Sequence, residues 1–190
     1  IVHPLMIKEI DVIKGGFNAE YGNAVGGIVS ITGKNGDCQN FHGNANINNQ
    51  SLSGYLNIPI AKQFALQAAY RQTINDIINR EFESKDKNKD IDYYRPETSF
   101  RDFNVRLSGK ISRKDNFHIN LLASKDDSRY NFESDTGKFY NVQSNDTRKQ
   151  IGTSAVYNRF FKNGIYTKTV LSYSKLESAY DFDETYSNPD

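Results

Sequence analysis

Tryptophan is absent, cysteine and methionine occur once each, and proline occurs four times in 190 residues. The single cysteine, Cys38, excludes an intrachain disulfide and a cysteine-based zinc site. Three histidines, His3, His42 and His118, lie far apart, and none has a second histidine or cysteine at metal-ligand spacing, so no metal site is expected. An excess of either charge is missing too: 24 Lys and Arg face 23 Asp and Glu, a formal net charge of +1. That balance removes the basic signature of a nucleic-acid binder and the acidic signature of a solvating tail. Apolar runs extend only a few residues, which excludes a transmembrane helix. The first nine residues lack a charged region followed by an apolar one, so an intact signal peptide is not expected there. With 37% hydrophobic residues and a mean hydropathy of −0.70, the totals resemble those of a polar soluble domain.

Enzyme chemistry finds no support. The glycine-rich stretch from Gly15 to Gly27 invites a phosphate-loop reading, but no Gly-Lys-Ser/Thr follows, and Ile28-Val29-Ser30-Ile31 reads as a strand rather than a helix. A Gly-x-Ser-x-Gly elbow is also missing. No catalytic residue, metal ligand or cofactor is therefore expected.

What is present is alternation. From Phe103 to Ser112, Phe103, Val105, Leu107, Gly109 and Ile111 share one face, while Asn104, Arg106, Ser108 and Lys110 share the other. Phe117, Ile119, Leu121 and Ala123 oppose His118, Asn120, Leu122 and Ser124; Phe64, Leu66, Ala68 and Tyr70 oppose Ala65, Gln67, Ala69 and Arg71. Period two is the strand signal. Leu56 to Ala61 and Asn44 to Asn48 follow it, with Pro59 placed near a strand end. Gln150 to Phe161 and Ile165 to Lys175 follow it less cleanly, and the count from Phe41 reaches seven strands by Lys175. Connections alternate between tight (61–63, 113–116, 162–164) and long and charged (Thr73 to Ser99, Asp127 to Lys149), with Asn49 to Gly54 modest in length. Tight turns therefore collect at one end of a sheet and long loops at the other.

A soluble β-sandwich alternates in the same way. Strands of about ten residues, short turns on one side, long loops on the other and polar faces rich in Asn, Gln and Ser favour a membrane barrel. Aromatics near strand ends (Phe64, Tyr70, Phe103, Phe117, Phe160, Phe161, Tyr173) suit interfacial girdles.

The segment before the strands narrows the choice. Ile7-Lys8-Glu9-Ile10-Asp11-Val12-Ile13-Lys14-Gly15, then Ala19-Glu20-Tyr21-Gly22, then Gly26-Gly27-Ile28-Val29-Ser30-Ile31-Thr32-Gly33-Lys34, resembles the end of the plug domain of TonB-dependent outer-membrane receptors. Asp11 stands where Glu is commoner in that family, and Gly33 is inserted before Lys34. Phe41 to Arg71 resembles the opening barrel strands of Bacteroidetes-type members. The resemblance implies an all-β fold: residues 1–36 as the C-terminal part of a plug domain, and 37–190 as the first seven or so antiparallel strands of a transmembrane β-barrel of about 22. The chain would then be a fragment of a longer receptor. Gly15, Gly16, Tyr21, Gly22, Gly26 and Gly27 would shape the plug, the glycines through positive φ or close backbone approach, and Ile10, Val12, Ile28 and Ile31 would pack its small core.

The resemblance further implies a Gram-negative outer-membrane location, with plug and tight turns periplasmic and long loops extracellular. Its function would be active import of a scarce nutrient: a ferric siderophore, a vitamin or an oligosaccharide. Implied partners are the TonB complex, acting through an N-terminal segment outside this sequence, outer-membrane lipid, the ligand, and for some members a surface lipoprotein; nucleic acid is not among them. Candidate ligand contacts are the lumenal Arg71, Asn104 and Arg106 and the loop residues Tyr93, Tyr94, Arg95, Tyr130 and Tyr140, since tyrosine stacks on rings and arginine favours anions. The rival readings are an outer-membrane scaffold or surface-assembly protein acting through its loops, and a soluble β-rich binding domain.

Overall fold

The computed structural model describes residues 2–18, 21–22, 26–74, 93–134 and 139–187. Among them the chain is all-β apart from one 3-10 turn, Pro4–Met6. A two-stranded ribbon joins β1 (Ile7–Ile13) to β2 (Ile28–Gly33). Seven antiparallel strands follow in sequence order: β3 (His42–Ile47), β4 (Ser51–Ala61), β5 (Phe64–Thr73), β6 (Tyr93–Lys110), β7 (Asp115–Ser134), β8 (Phe139–Phe160) and β9 (Tyr166–Ser187). The expected seven strands and the tight turns at one end are present. Pro59, which has no N–H to give the ladder, sits two residues from the end of β4, where the register with β5 shifts.

Strand length departs from expectation. β6 to β9 run 18, 20, 22 and 22 residues, not about ten. Asp127 to Lys149, expected as a charged loop, is mostly ladder: β7 continues to Ser134, and β8 resumes at Phe139 in unbroken register. Tyr93 to Ser99 likewise belong to β6 rather than to a loop, while 75–92 and 135–138 lie outside the described residues. The β3–β4 connection is tighter than expected. The Asn48 side-chain oxygen accepts from the N–H groups of Gln50 (2.9 Å) and Ser51 (2.8 Å), an Asx turn that closes the hairpin in three residues.

Burial is the reverse of a soluble sheet. At the turn end of β4 to β6, the face carrying Asn57, Gln67, Asp102, Asn104, Arg106 and Ser108 is buried, and on β7 and β8 the same face is half-buried. Leu56, Ile58, Ile60, Phe103, Ile119, Leu121 and Ile151, on the opposite face, are exposed. Registers align that exposed face into rows across strands. Leu66, Leu107, Ile119, Ala155 and Leu171 form one, and Ala68, Val105, Leu121, Thr153 and Tyr173 the next. Phe64, Phe117 and Tyr157 bound these rows on one side, with Phe64 and Phe117 ring centroids 5.7 Å apart; Tyr70 and Phe103 bound them on the other. Four rows of alternate residues make an apolar band about 20–25 Å tall along the strands.

The ribbon does not form the expected small core. Ile10 pairs with Ile31 and Val12 with Val29, yet Ile10 is 54% and Val12 63% exposed, because two strands alone leave both faces of the ribbon open.

Candidate functional site

The buried polar face is covered by the chain that precedes the sheet. After β2, the segment 34–41 crosses over β4, β5 and β6. Asn57, 1% exposed, anchors it: its Oδ1 accepts from the Asp37 N–H (3.0 Å), and its Nδ2 donates to the Asp37 (2.9 Å) and Asn40 (3.0 Å) carbonyls. Ser108 Oγ accepts from the Gly36 N–H at 3.1 Å. Gly36 owes its identity to this crossing, since a Cβ there would stand 2.5 Å from the Cβ of Ala65. Asp37 caps its own turn, accepting from the Gln39 N–H at 2.7 Å and lying 2.8 Å from His42 Nε2; these bonds hold its carboxyl well below the usual range.

Of the sequence-predicted residues, Arg71, Asn104 and Arg106 lie on this covered face. Arg71 pairs with Asp102 at 2.6 Å and stacks on Phe100, with its guanidinium carbon 4.7 Å from the ring centroid. Arg106 donates to Asn120 Oδ1 (2.8 Å) and to Asn35 Oδ1 (3.4 Å), linking the sheet to the crossing segment. Sequence reasoning missed Asp102, Asn57 and Ser108, although Asp102 and Ser108 share the alternate register of Asn104 and Arg106. It also missed His3, buried beside Met6; its Nδ1 accepts from the Leu5 N–H at 3.3 Å. Burial, reinforced by the Arg71 charge, pushes the His3 pKa down.

The glycine motif is only partly explained by backbone geometry. Gly16 has φ of 68°, a left-handed conformation that favours glycine. Gly15, Gly22 and Gly26 show no left-handed φ and have open space where a side chain would go, so neither positive φ nor close approach explains them here. Gly27 meets only the Ile13 carbonyl, at 3.4 Å, and the Tyr21 N–H donates to the Asn18 carbonyl at 3.0 Å.

Toward the far end of the long strands the two faces exchange character. The face that is polar below carries Tyr130 and Phe132 on β7, Tyr140 and Val142 on β8, and Tyr180, Phe182 and Tyr186 on β9. The face that is apolar below carries Arg129, Asn131, Asn141, Gln143, Asp181 and Asp183. Tyr140 rings lie 6.0 Å from Phe132 and 4.9 Å from Tyr186. Both tyrosine hydroxyls donate to Glu184 Oε1, at 3.0 Å from Tyr140 and 2.7 Å from Tyr186. That carboxylate raises both phenol pKa values, Tyr186 to about 12. Tyr130 and Tyr140 therefore share one aromatic surface. Tyr93, Tyr94 and Arg95 occupy the first positions of β6, their backbone paired with Glu133, Phe132 and Asn131.

No group of His, Cys, Asp and Glu suited to a metal occurs among the described residues. Comparison with protein-family models, curated proteins and solved structures finds no match to this chain.

Proposed function

We propose that the chain is part of an outer-membrane β-barrel transporter of the TonB-dependent kind, which imports a scarce nutrient. One observation carries the reading: the sheet buries its polar face and exposes its apolar face. In water such an arrangement forfeits the hydrophobic effect, whereas in a bilayer the apolar band meets lipid and the polar face lines a wet interior. The apolar rows form a continuous band along the exposed face, as on the outside of such barrels, and aromatic rows bound it as girdles do. The segment 34–41, held against the interior face by Asn57 and Ser108, supports the plug reading of 1–36.

Import then divides between the two surfaces. The aromatic surface beyond the band stacks on the ligand, and Arg71, Asn104 and Arg106 line the route that the plug fills. An energised pull on the plug must break the Asn57, Ser108 and Arg106 contacts to open it. Fractionation of cells tests the membrane reading: the full protein follows the outer membrane, and recovery in the soluble fraction would sink it. A deletion strain tests transport through its growth under iron, vitamin or glycan limitation.

The long hairpins also favour a second reading, a surface-assembly scaffold. Unaffected growth combined with altered surface assembly would select that reading.

A further inference from the structure

We propose that Arg101, Lys125 and Lys149 form a binding site for the phosphate-bearing headgroups of membrane lipid. The site rests on the membrane reading above. The three residues stand side by side on the apolar face: Arg101 pairs with Lys125 across β6 and β7, and Lys125 with Lys149 across β7 and β8. Neighbouring strands lie about 4.8 Å apart, so three cations fall within about 10 Å of one another. Like charges directly opposite each other in a sheet destabilise it, and an anion bridging them reverses that cost.

Their height selects the anion. The next row toward the turn end is Phe103, Ala123 and Ile151, the last row of the apolar band, with Lys175 at its β9 position. A cation one row above hydrocarbon stands at headgroup level, where long basic side chains reach the interface and meet lipid phosphate. Nearby carboxylates only partly neutralise the row. Asp127 pairs with Lys125 at 2.5 Å, and Glu177, opposite Lys149, pairs with Lys175 at 2.6 Å. Four cations against two carboxylates leave two positive charges in excess, and Arg101 has no ion-pair partner among the described residues.

The test uses the full protein purified from its native membrane into a neutral detergent, with bound phosphorus measured per protein after extensive exchange. The wild type retains phosphorus that extracts into organic solvent. Arg101→Gln/Lys125→Gln/Lys149→Gln retains at least threefold less, while Arg101→Lys/Lys125→Arg/Lys149→Arg and the control Arg129→Gln/Arg148→Gln retain the wild-type amount. Equal retention by the glutamine variant in membrane-embedded protein overturns the site and leaves the transporter reading standing. Phosphorus that partitions as inorganic phosphate overturns the lipid assignment. Recovery of the wild type in the soluble fraction removes the membrane reading and the site together. Should the triple variant not assemble, Lys149→Gln alone gives a partial loss if the site exists and none if it does not.

Discussion

Two guanidinium nitrogens of Arg71 converge on a single carboxylate oxygen of Asp102, Nη2 at 2.6 Å and Nε at 3.2 Å, across the β5–β6 ladder. Asp102 is 1% exposed, so its charge depends on local partners rather than water. Removing one partner of a buried pair leaves an uncompensated charge, at a cost of about 3–5 kcal/mol. Asp102→Asn is expected to destabilise the assembled protein by about 3 kcal/mol, at the low end because Arg71 keeps some solvent access. Arg71→Gln/Asp102→Asn is expected to lose less than the two single variants together, read by denaturant unfolding in a double-mutant cycle. Strict additivity would mean that the pair contributes no coupling.

Lipid contact makes a sided prediction. Leu121 lies in the apolar band, and Arg there is expected to cost about 2–4 kcal/mol of stability in the bilayer. The same substitution at Asn131, beyond the band on the same face, is expected to be nearly neutral. Unfolding titrations in lipid vesicles compare the two, and equal costs would contradict the placement of the band.

His3 ties the leading segment to pH. Its depressed pKa means that the docked state holds less proton than the released state, so docking is strongest above the ordinary histidine value of about 6.5. It weakens as pH falls from there through the docked value. Hydrogen exchange at residues 3–6 is expected to quicken between pH 7 and pH 5, beyond the intrinsic change in rate. His3→Gln should remove that excess; an unchanged pH slope in this variant would assign the effect elsewhere.

Tyr186 gives a signal at the opposite end of the pH scale. Its phenol, raised to about 12 by Glu184, keeps its proton where an ordinary tyrosine ionises. The stabilisation from this bond is complete below about pH 10 and disappears as pH rises through about 12. Ultraviolet titration should show fewer tyrosinates at pH 11 in the wild type than in Glu184→Gln, and identical curves would refute the shared carboxylate.

Much of the fold was legible because period two survives wherever a strand has unlike faces. Phe103 to Ser112 announced which residues share each face; its pairing partners came only from the structure. Asp127 to Lys149 carried the same period in reverse, with Tyr130, Phe132, Tyr140 and Val142 alternating against Arg129, Asn131, Asn141 and Gln143. Charge density disguised it as loop, since charged and polar residues fill the face that is apolar nearer the turns and leave no apolar run to read. Arg71, Asn104 and Arg106 could be placed by alternation alone. Alternation set Asn57 on its face too, but not its role, which depends on a segment that returns across the sheet, and His3 lies outside any alternating strand. Ile10 and Val12 misled for a simpler reason: apolar character implies burial only when another layer is available to bury it.

The β8–β9 ladder pairs 22 residues of each strand with no shift of register. Hydrogen bonded along its whole length, it behaves as a stiff beam about 70 Å long, rooted in the band and free at the tip. The Arg71–Asp102 row registers with Gln150 and Leu176, about 35 Å from the tip, so a tilt of about five degrees there moves the tip by about 3 Å. Small changes in strand tilt around the Arg71–Asp102 row would therefore arrive at Tyr140 and Tyr186 magnified, as a displacement of the aromatic surface they form.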